Sequence, residues 1–339
     1  MIDLLPSDEQ QQIIDSVAEF FARTQPAPPV PSQNDAARTA ALARQEMAAL
    51  GWFGLGLAEA DGGIGCSLIE EMLVAREFGR ALASPALCAG ILAAHVAARA
   101  GQREMLRHIL AGSLGVGMLI PTPSAANGTG DVNLIAAQGA QLLLFCNESG
   151  AGLYERDAFA EATVGASFDE TVGLERAAQT TTHPVAWVSA ADSPLPRRAG
   201  LLICAQLLGI AEAAKDLAVD YAKVREQFGQ PIGAFQSIKH GCAEMAVQCE
   251  AAYAQTFFAG LTADADLPDA QFQCAAAGLL APDAALKNAR MGIQIHGGIG
   301  FTSDCRAHRY LKRAHLLNWL GMPARSCRAA CITAHLIYS

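Results

Sequence analysis

The chain has 339 residues, room for two or three domains of about 100–200 residues each; only 17% of it is charged and 52% hydrophobic, a balance that points to buried subunit contacts. Its formal charge of −9 is uneven: residues 1–195 hold ten Arg, no Lys and 22 acids, while residues 196–339 hold 14 Lys+Arg against 11 acids. An acidic N-terminal half argues against nucleic acid as the main ligand.

Ten cysteines are scattered without a CxxC pair or a His/Cys cluster at zinc spacing, so no metal is expected and most thiols read as small buried hydrophobes. The N-terminus carries acids where a signal peptide would be basic. Apolar runs such as Ala199–Ala211 are too short to cross a bilayer, and Ala81–Ala98 is alanine-rich and broken by Pro85 and His95. The expectation is a soluble cytoplasmic protein with no membrane insertion.

In chain order, Ser7 stands three residues before Gln10, and Ile13, Ile14, Val17, Phe20 and Phe21 follow at helical spacing, which predicts a capped amphipathic helix over 7–24. The Pro-rich segment Gln25–Ser32 ends it, and a second helix covers Asp35–Leu50. Gly62, Gly63 and Gly65 suit a tight turn before a helix from Ser67 to Arg80. A dinucleotide-binding reading of these glycines lacks its acidic partner beyond a second strand, so a helix-to-helix connection is preferred.

Between Ser113 and Ala190 short apolar segments alternate with Gly, Asn, Asp and Pro; strands are predicted at Gly115–Ile120, Asn133–Ala136, Gln141–Phe145, Thr163–Phe168 and Val185–Ser189. Helices return near 199–226, 236–262, 270–293, 303–320 and 323–337, as an antiparallel bundle. The predicted class is α+β: an N-terminal helical domain (1–112), a reduced central β-domain (113–195) and a C-terminal helical bundle (196–339).

Two motifs lie on either side of a long helical region: Arg225-Glu226-Gln227-Phe228-Gly229, followed by Phe235-Gln236-Ser237-Ile238-Lys239-His240, and Gln294-Ile295-His296-Gly297-Gly298-Ile299-Gly300-Phe301. Each alone reads as an ordinary helix end or turn. Together with the run Gly51–Leu82, they make the chain resemble the acyl-CoA dehydrogenase family. The resemblance implies FAD at a subunit interface, with Arg225 on its pyrophosphate, Phe228 and Gln236 along its adenosine portion, and Gln294, Gly297, Gly298 and Gly300 forming a loop around its AMP end. It also implies an acyl-CoA substrate and an electron-transfer flavoprotein or similar acceptor.

The chain departs from the family where the chemistry is done. The reaction that the resemblance implies, FAD-dependent α,β-dehydrogenation of an acyl-CoA thioester, needs a carboxylate to remove the α-proton. One family location for it falls on Gly321, after Arg313–Leu320, and the other on Ala199. Glu212, Glu244 and Glu250 are the remaining acids considered, each read first as a solvated helix-face residue. His296, His308 and His315 read as structural or phosphate-adjacent.

The loop Ile120–Asn127 is a faint echo of the family's flavin-ring loop, and Trp187-Val188-Ser189 comes too late to replace its Trp-x-Thr element. The pattern resembles the short, degenerate subunit of α2β2 acyl-CoA dehydrogenases acting on steroid side-chain CoA thioesters. It implies a FAD site shared with a homologous partner that supplies the base. A self-sufficient homotetramer with a relocated base and a flavin-free scaffold are the alternatives. The basic residues Arg290, Arg306, Arg309, Lys312, Arg313, Arg325 and Arg328 read first as a solvated face, and otherwise as a surface for phosphorylated ligands.

Overall fold

The computed structural model of the chain describes residues 4–24, 33–122, 131–159, 161–178 and 183–338. The predicted Pro-rich break at Gln25–Ser32 and the end of the Ile120–Asn127 loop, from Pro123 onward, lie outside them. The chain forms two compact units. Unit 1 comprises Met1–Val30, Leu68–Leu82 and Gly200–Ser339, and unit 2 comprises Pro31–Ser67 and Ala83–Ala199.

In unit 1, helix α1 (Asp8–Thr24) starts in a reciprocal cap: the Gln10 N–H donates to Ser7 Oγ at 3.2 Å and the Ser7 N–H to Gln10 Oε1 at 3.0 Å. Its buried residues Ile14, Val17, Phe20 and Phe21 form one stripe. Phe21 meets Phe78 of α3 (Leu68–Ala81) edge to face at 5.6 Å. The bundle consists of most of α6 (Leu195–Val224), then α7 (Gln236–Asp264), α8 (Ala270–His296), α9 (Ala307–Leu320) and α10 (Ala324–Tyr338). Helix α8 packs against α7, α9 and α10.

The backbones of α3 and α6 nearly touch. A Cβ on Gly79 would lie 1.9 Å from the Gln206 carbonyl oxygen, and one on Gly209 would lie 1.9 Å from that of Arg76. Only glycine permits this approach.

Unit 2 is built on a mixed seven-stranded sheet in the order β5-β6-β2-β1-β3-β4-β7. Its strands are β1 (Val116–Pro121), β2 (Asp131–Ile135), β3 (Leu142–Asn147), β4 (Gly150–Glu155), β5 (Thr163–Gly165), β6 (Leu174–Ala178) and β7 (Ala186–Ser189). Only β1 and β3 run parallel, with Val116 opposite Leu142; the other neighbours are antiparallel. Leu119, Val132, Leu134, Leu143 and Phe159 fill one face.

Helix α4 (Pro85–Arg99) packs on β1, β3, β4 and β7 and is buried almost all round. His95 lies inside α4 and does not interrupt it, but the break expected at Pro85 is present, since α3 ends at Ala81 and α4 begins at Pro85. Pro85 is the first residue of the helix, after Ser84, whose side chain accepts from the Ala86 N–H at 3.3 Å; the missing proline N–H costs nothing there. The short helix α5 (Arg103–Leu110), β4 and β6 were not anticipated. β4 begins Gly-Ala-Gly and β6 reads Leu-Glu-Arg-Ala-Ala, both poor in the β-branched residues that mark strands.

Candidate cofactor-binding site

The first motif closes the end of α6. Arg225 ends the helix, its N–H donating to the Tyr221 carbonyl at 2.9 Å and its carbonyl accepting from the Ile232 N–H at 2.7 Å. Between these bonds the chain makes a minimal hairpin, β8 (Glu226–Gln227) and β9 (Gln230–Pro231), with Gln227 paired to Gln230.

The two turn residues, Phe228 and Gly229, have φ of 53° and 78°. Positive φ at both central positions is the geometry that suits Asn-Gly. A phenylalanine there is strained, and such strain clusters at functional sites. The residue is 93% exposed, and its ring lies edge to face with Phe235, centroids 6.1 Å apart. Gln236 opens α7 and is exposed. The Arg225 side chain is also exposed and forms no ion pair among the described residues.

The second motif is the end of α8 and the turn after it. Gly297 terminates the helix at φ 64° and ψ −142°, a combination open to glycine alone. A Cβ on Gly297 or Gly298 would meet nothing within 4 Å, so these backbone groups face open space. Gly300 differs: it is buried, and its Cβ would lie 3.0 Å from the Ile293 carbonyl, so it allows the turn to fold back onto the helix. Gln294, Gly297 and Gly298 line a cavity of about 340 Å³ together with Arg290, Ile293, Phe301 and Leu311.

The two motifs are joined within unit 1. Tyr221 stacks on His296, ring centroids 4.3 Å apart, and Ala218, Ala222, Met245 and Ile295 pack beneath. His296 is buried, with Nδ1 2.7 Å from the Gly292 carbonyl, so that nitrogen carries the proton and donates. It is a structural residue, in line with the sequence reading. The stack itself was not anticipated.

An arginine without a counter-charge, exposed aromatic and amide groups and open glycine backbone fit an anionic, planar ligand such as the adenosine diphosphate end of FAD. Neither expected base position carries an acid. Ala199 is buried. Gly321 caps α9, and a Cβ there would lie 3.1 Å from Ile203 and 3.2 Å from the Leu317 carbonyl.

Glu212 is not the solvated residue the sequence suggested. It is buried and accepts from Arg76 Nε at 2.7 Å and from an Arg80 guanidinium nitrogen at 3.1 Å. A helical face of alternating polar and small residues does not reveal that two arginines from α3 lie against it. Glu244 and Glu250 are exposed on α7, as expected.

In unit 2, Thr122 donates its hydroxyl to the Asp131 carbonyl at 2.7 Å. The Trp187 indole lies on β4 where Gly150 and Gly152 leave room, stacked near Phe145 at 6.3 Å. That ring is committed to covering the sheet. Among the described residues, no group of three or more His, Cys, Asp or Glu is placed to hold a metal ion, and no helix is long and apolar enough to cross a membrane.

Comparison with known proteins gives a consistent result. The profile of the acyl-CoA dehydrogenase N-terminal domain matches residues 7–114, and that of the C-terminal domain matches residues 198–321. The chain is 32% identical over 317 residues to acyl-CoA dehydrogenase IpdE2 of Mycobacterium tuberculosis, covering 92% of each chain. Among solved structures, the steroid ACAD Tcur3481-Tcur3483 superposes with a TM-score of 0.80 at 21% identity, covering 98% of this chain and 99% of that one. The ChsE4-ChsE5 complex of Mycobacterium tuberculosis gives 0.77 at 19% identity, with 100% of both chains covered.

Proposed function

The chain belongs to the acyl-CoA dehydrogenase family of FAD-dependent enzymes, and from that premise we propose that it works as a subunit that completes a FAD site held largely by a homologous partner. In this reading the partner supplies the catalytic carboxylate, the assembly is α2β2, and the substrate is a steroid side-chain CoA thioester. FAD, when bound, accepts the β-hydrogen of the acyl group as hydride. This chain's part is to bind and orient: Arg225 offers a permanently charged fork to the pyrophosphate, and Phe228 and Gln236 flank the adenosine. Gln294 and the open backbone of Gly297 and Gly298 surround the AMP end.

The observation that carries this reading is Phe228, held in a strained turn and 93% exposed. Strain and exposure together make sense if the ring is aimed at something outside its own unit. The absence of an acid at Gly321 and Ala199, with Glu212 occupied by two arginines, supports assignment of the base to a partner. The substrate class and the two-chain assembly follow the names of the fold relatives.

Co-purifying the chain with its partner and replacing Arg225 by Ala tests the reading. Flavin should be lost from the complex while the two chains stay together. Unchanged flavin content would instead make the chain a scaffold and overturn the proposal.

A further inference from the structure

We propose that Arg290 is a second cation for the phosphate-bearing end of the ligand that occupies the cavity beside Gln294, Gly297 and Gly298. The inference rests on the shared-FAD reading and adds a residue to it. Arg290 and Gln294 are one helical turn apart on α8, so they share a face, and both line the cavity with Ile293, Phe301 and Leu311. At about 340 Å³ the cavity lies at the small end of ligand-sized pockets. Besides Gln294, its walls are apolar side chains and glycine backbone, and Arg290 is the one charged residue in the lining.

The charge on Arg290 is not neutralised locally. Lys287, the preceding cation on the helix, is paired with Asp283 at 2.6 Å. Arg290 is exposed and has no acidic partner among the described residues. Facing it from α9 is another basic group, His315, one turn beyond Leu311. Burial, and after it the nearby Arg290 charge, hold the His315 imidazole below its ordinary pKa. His315 therefore adds no charge at neutral pH, and Arg290 stands as the one permanent cation of the lining, which holds no carboxylate to balance it; a guanidinium is suited to a phosphate because it donates in a planar fork.

The test uses the flavin-loaded protein together with its partner subunit, stripped of cofactor and titrated with FAD. Arg290→Met, which keeps the aliphatic stem, should weaken FAD binding about tenfold to a hundredfold, the scale of a hydrogen bond to a charged group, and should flatten the dependence of affinity on salt. Arg290→Lys should recover part of the loss. Arg225→Met is measured in parallel.

If Arg225→Met weakens binding while Arg290→Met stays within about twofold of the parent, the inference fails and the shared site stands. If neither variant changes FAD affinity, the shared-site reading fails and takes the inference with it. If Arg290→Met leaves FAD affinity alone and raises the KM for acyl-CoA, the cavity takes the nucleotide of coenzyme A and the inference is overturned.

Discussion

Tyr221 and His296 lie face to face, 4.3 Å between centroids and 22° between planes, and this contact makes one platform of two motifs that are distant in sequence. Tyr221 is one turn before Arg225 on α6, and His296 is the last residue of α8 before Gly297. Removing the ring should loosen both ends at once. Tyr221→Ala is expected to cost roughly 1–3 kcal/mol of stability and to lower FAD affinity. Tyr221→Phe, which keeps the stack, should retain both properties; thermal denaturation and flavin titration check this.

Gly297 and Gly298 separate backbone strain from ligand space. Gly297→Ala meets no neighbouring atom, so its cost is conformational, about 1–3 kcal/mol for a backbone only glycine adopts freely. Gly298→Ala has no positive φ to support and should be close to neutral for stability, within about 0.5 kcal/mol. It nevertheless puts a methyl group into the cavity wall, so flavin affinity should fall while the melting temperature stays.

Phe228 should show the opposite pattern. Asparagine tolerates the left-handed conformation that Phe228 holds at φ 53°, so Phe228→Asn should stabilise the chain by about 1 kcal/mol. The same change removes the exposed ring and should reduce flavin retention in the complex. A variant that is more stable yet binds less would identify the strained ring as functional.

Glu212 is a stability residue. Glu212→Ala should leave Arg76 and Arg80 short of a buried partner and cost on the order of 3–5 kcal/mol, seen as a lowered denaturation midpoint. In the same cluster, two acids respond oppositely to pH.

Burial works against ionisation of Asp216, but hydrogen bonds from Arg80 and Lys215 outweigh it and hold the carboxyl below its ordinary pKa. Its contribution is therefore complete above the unfolded value of about 3.9 and is lost as pH falls through the depressed folded value. For Glu77 burial dominates and raises the pKa despite Arg80 and Arg76. Its stabilising contribution is present below the unfolded value of about 4.3 and lost as pH rises through the folded one. Asp216→Asn should thus lower the melting temperature at pH 7, and Glu77→Gln should raise it. Both differences should close in acid.

The helices other than α4 and α5 were legible because their apolar residues recur at helical spacing and their ends carry recognisable signals: Ser7 with Gln10, and Gly297. The fold class is confirmed. What escaped was settled by partners distant in sequence. β4 forms because Gly150 and Gly152 leave room for Trp187, and α4 is so uniformly apolar that its sequence shows no face. The burial of Glu212 depends on Gly79 and Gly209 bringing α3 against α6. At the candidate site, Arg225 and the Gln294–Gly300 loop stood out as motifs. Arg290 showed only as one of seven basic residues that read as a solvated face or a surface for phosphorylated ligands, because the cavity it lines is formed by the fold.

The most direct measurement is flavin stoichiometry and turnover for the chain purified alone and again with its homologous partner. The shared-site account predicts little flavin and no reduction of an electron acceptor by acyl-CoA for the chain alone, with both restored in the complex. A chain that is yellow by itself, with one FAD per protomer and acceptor reduction in the presence of acyl-CoA, would contradict it.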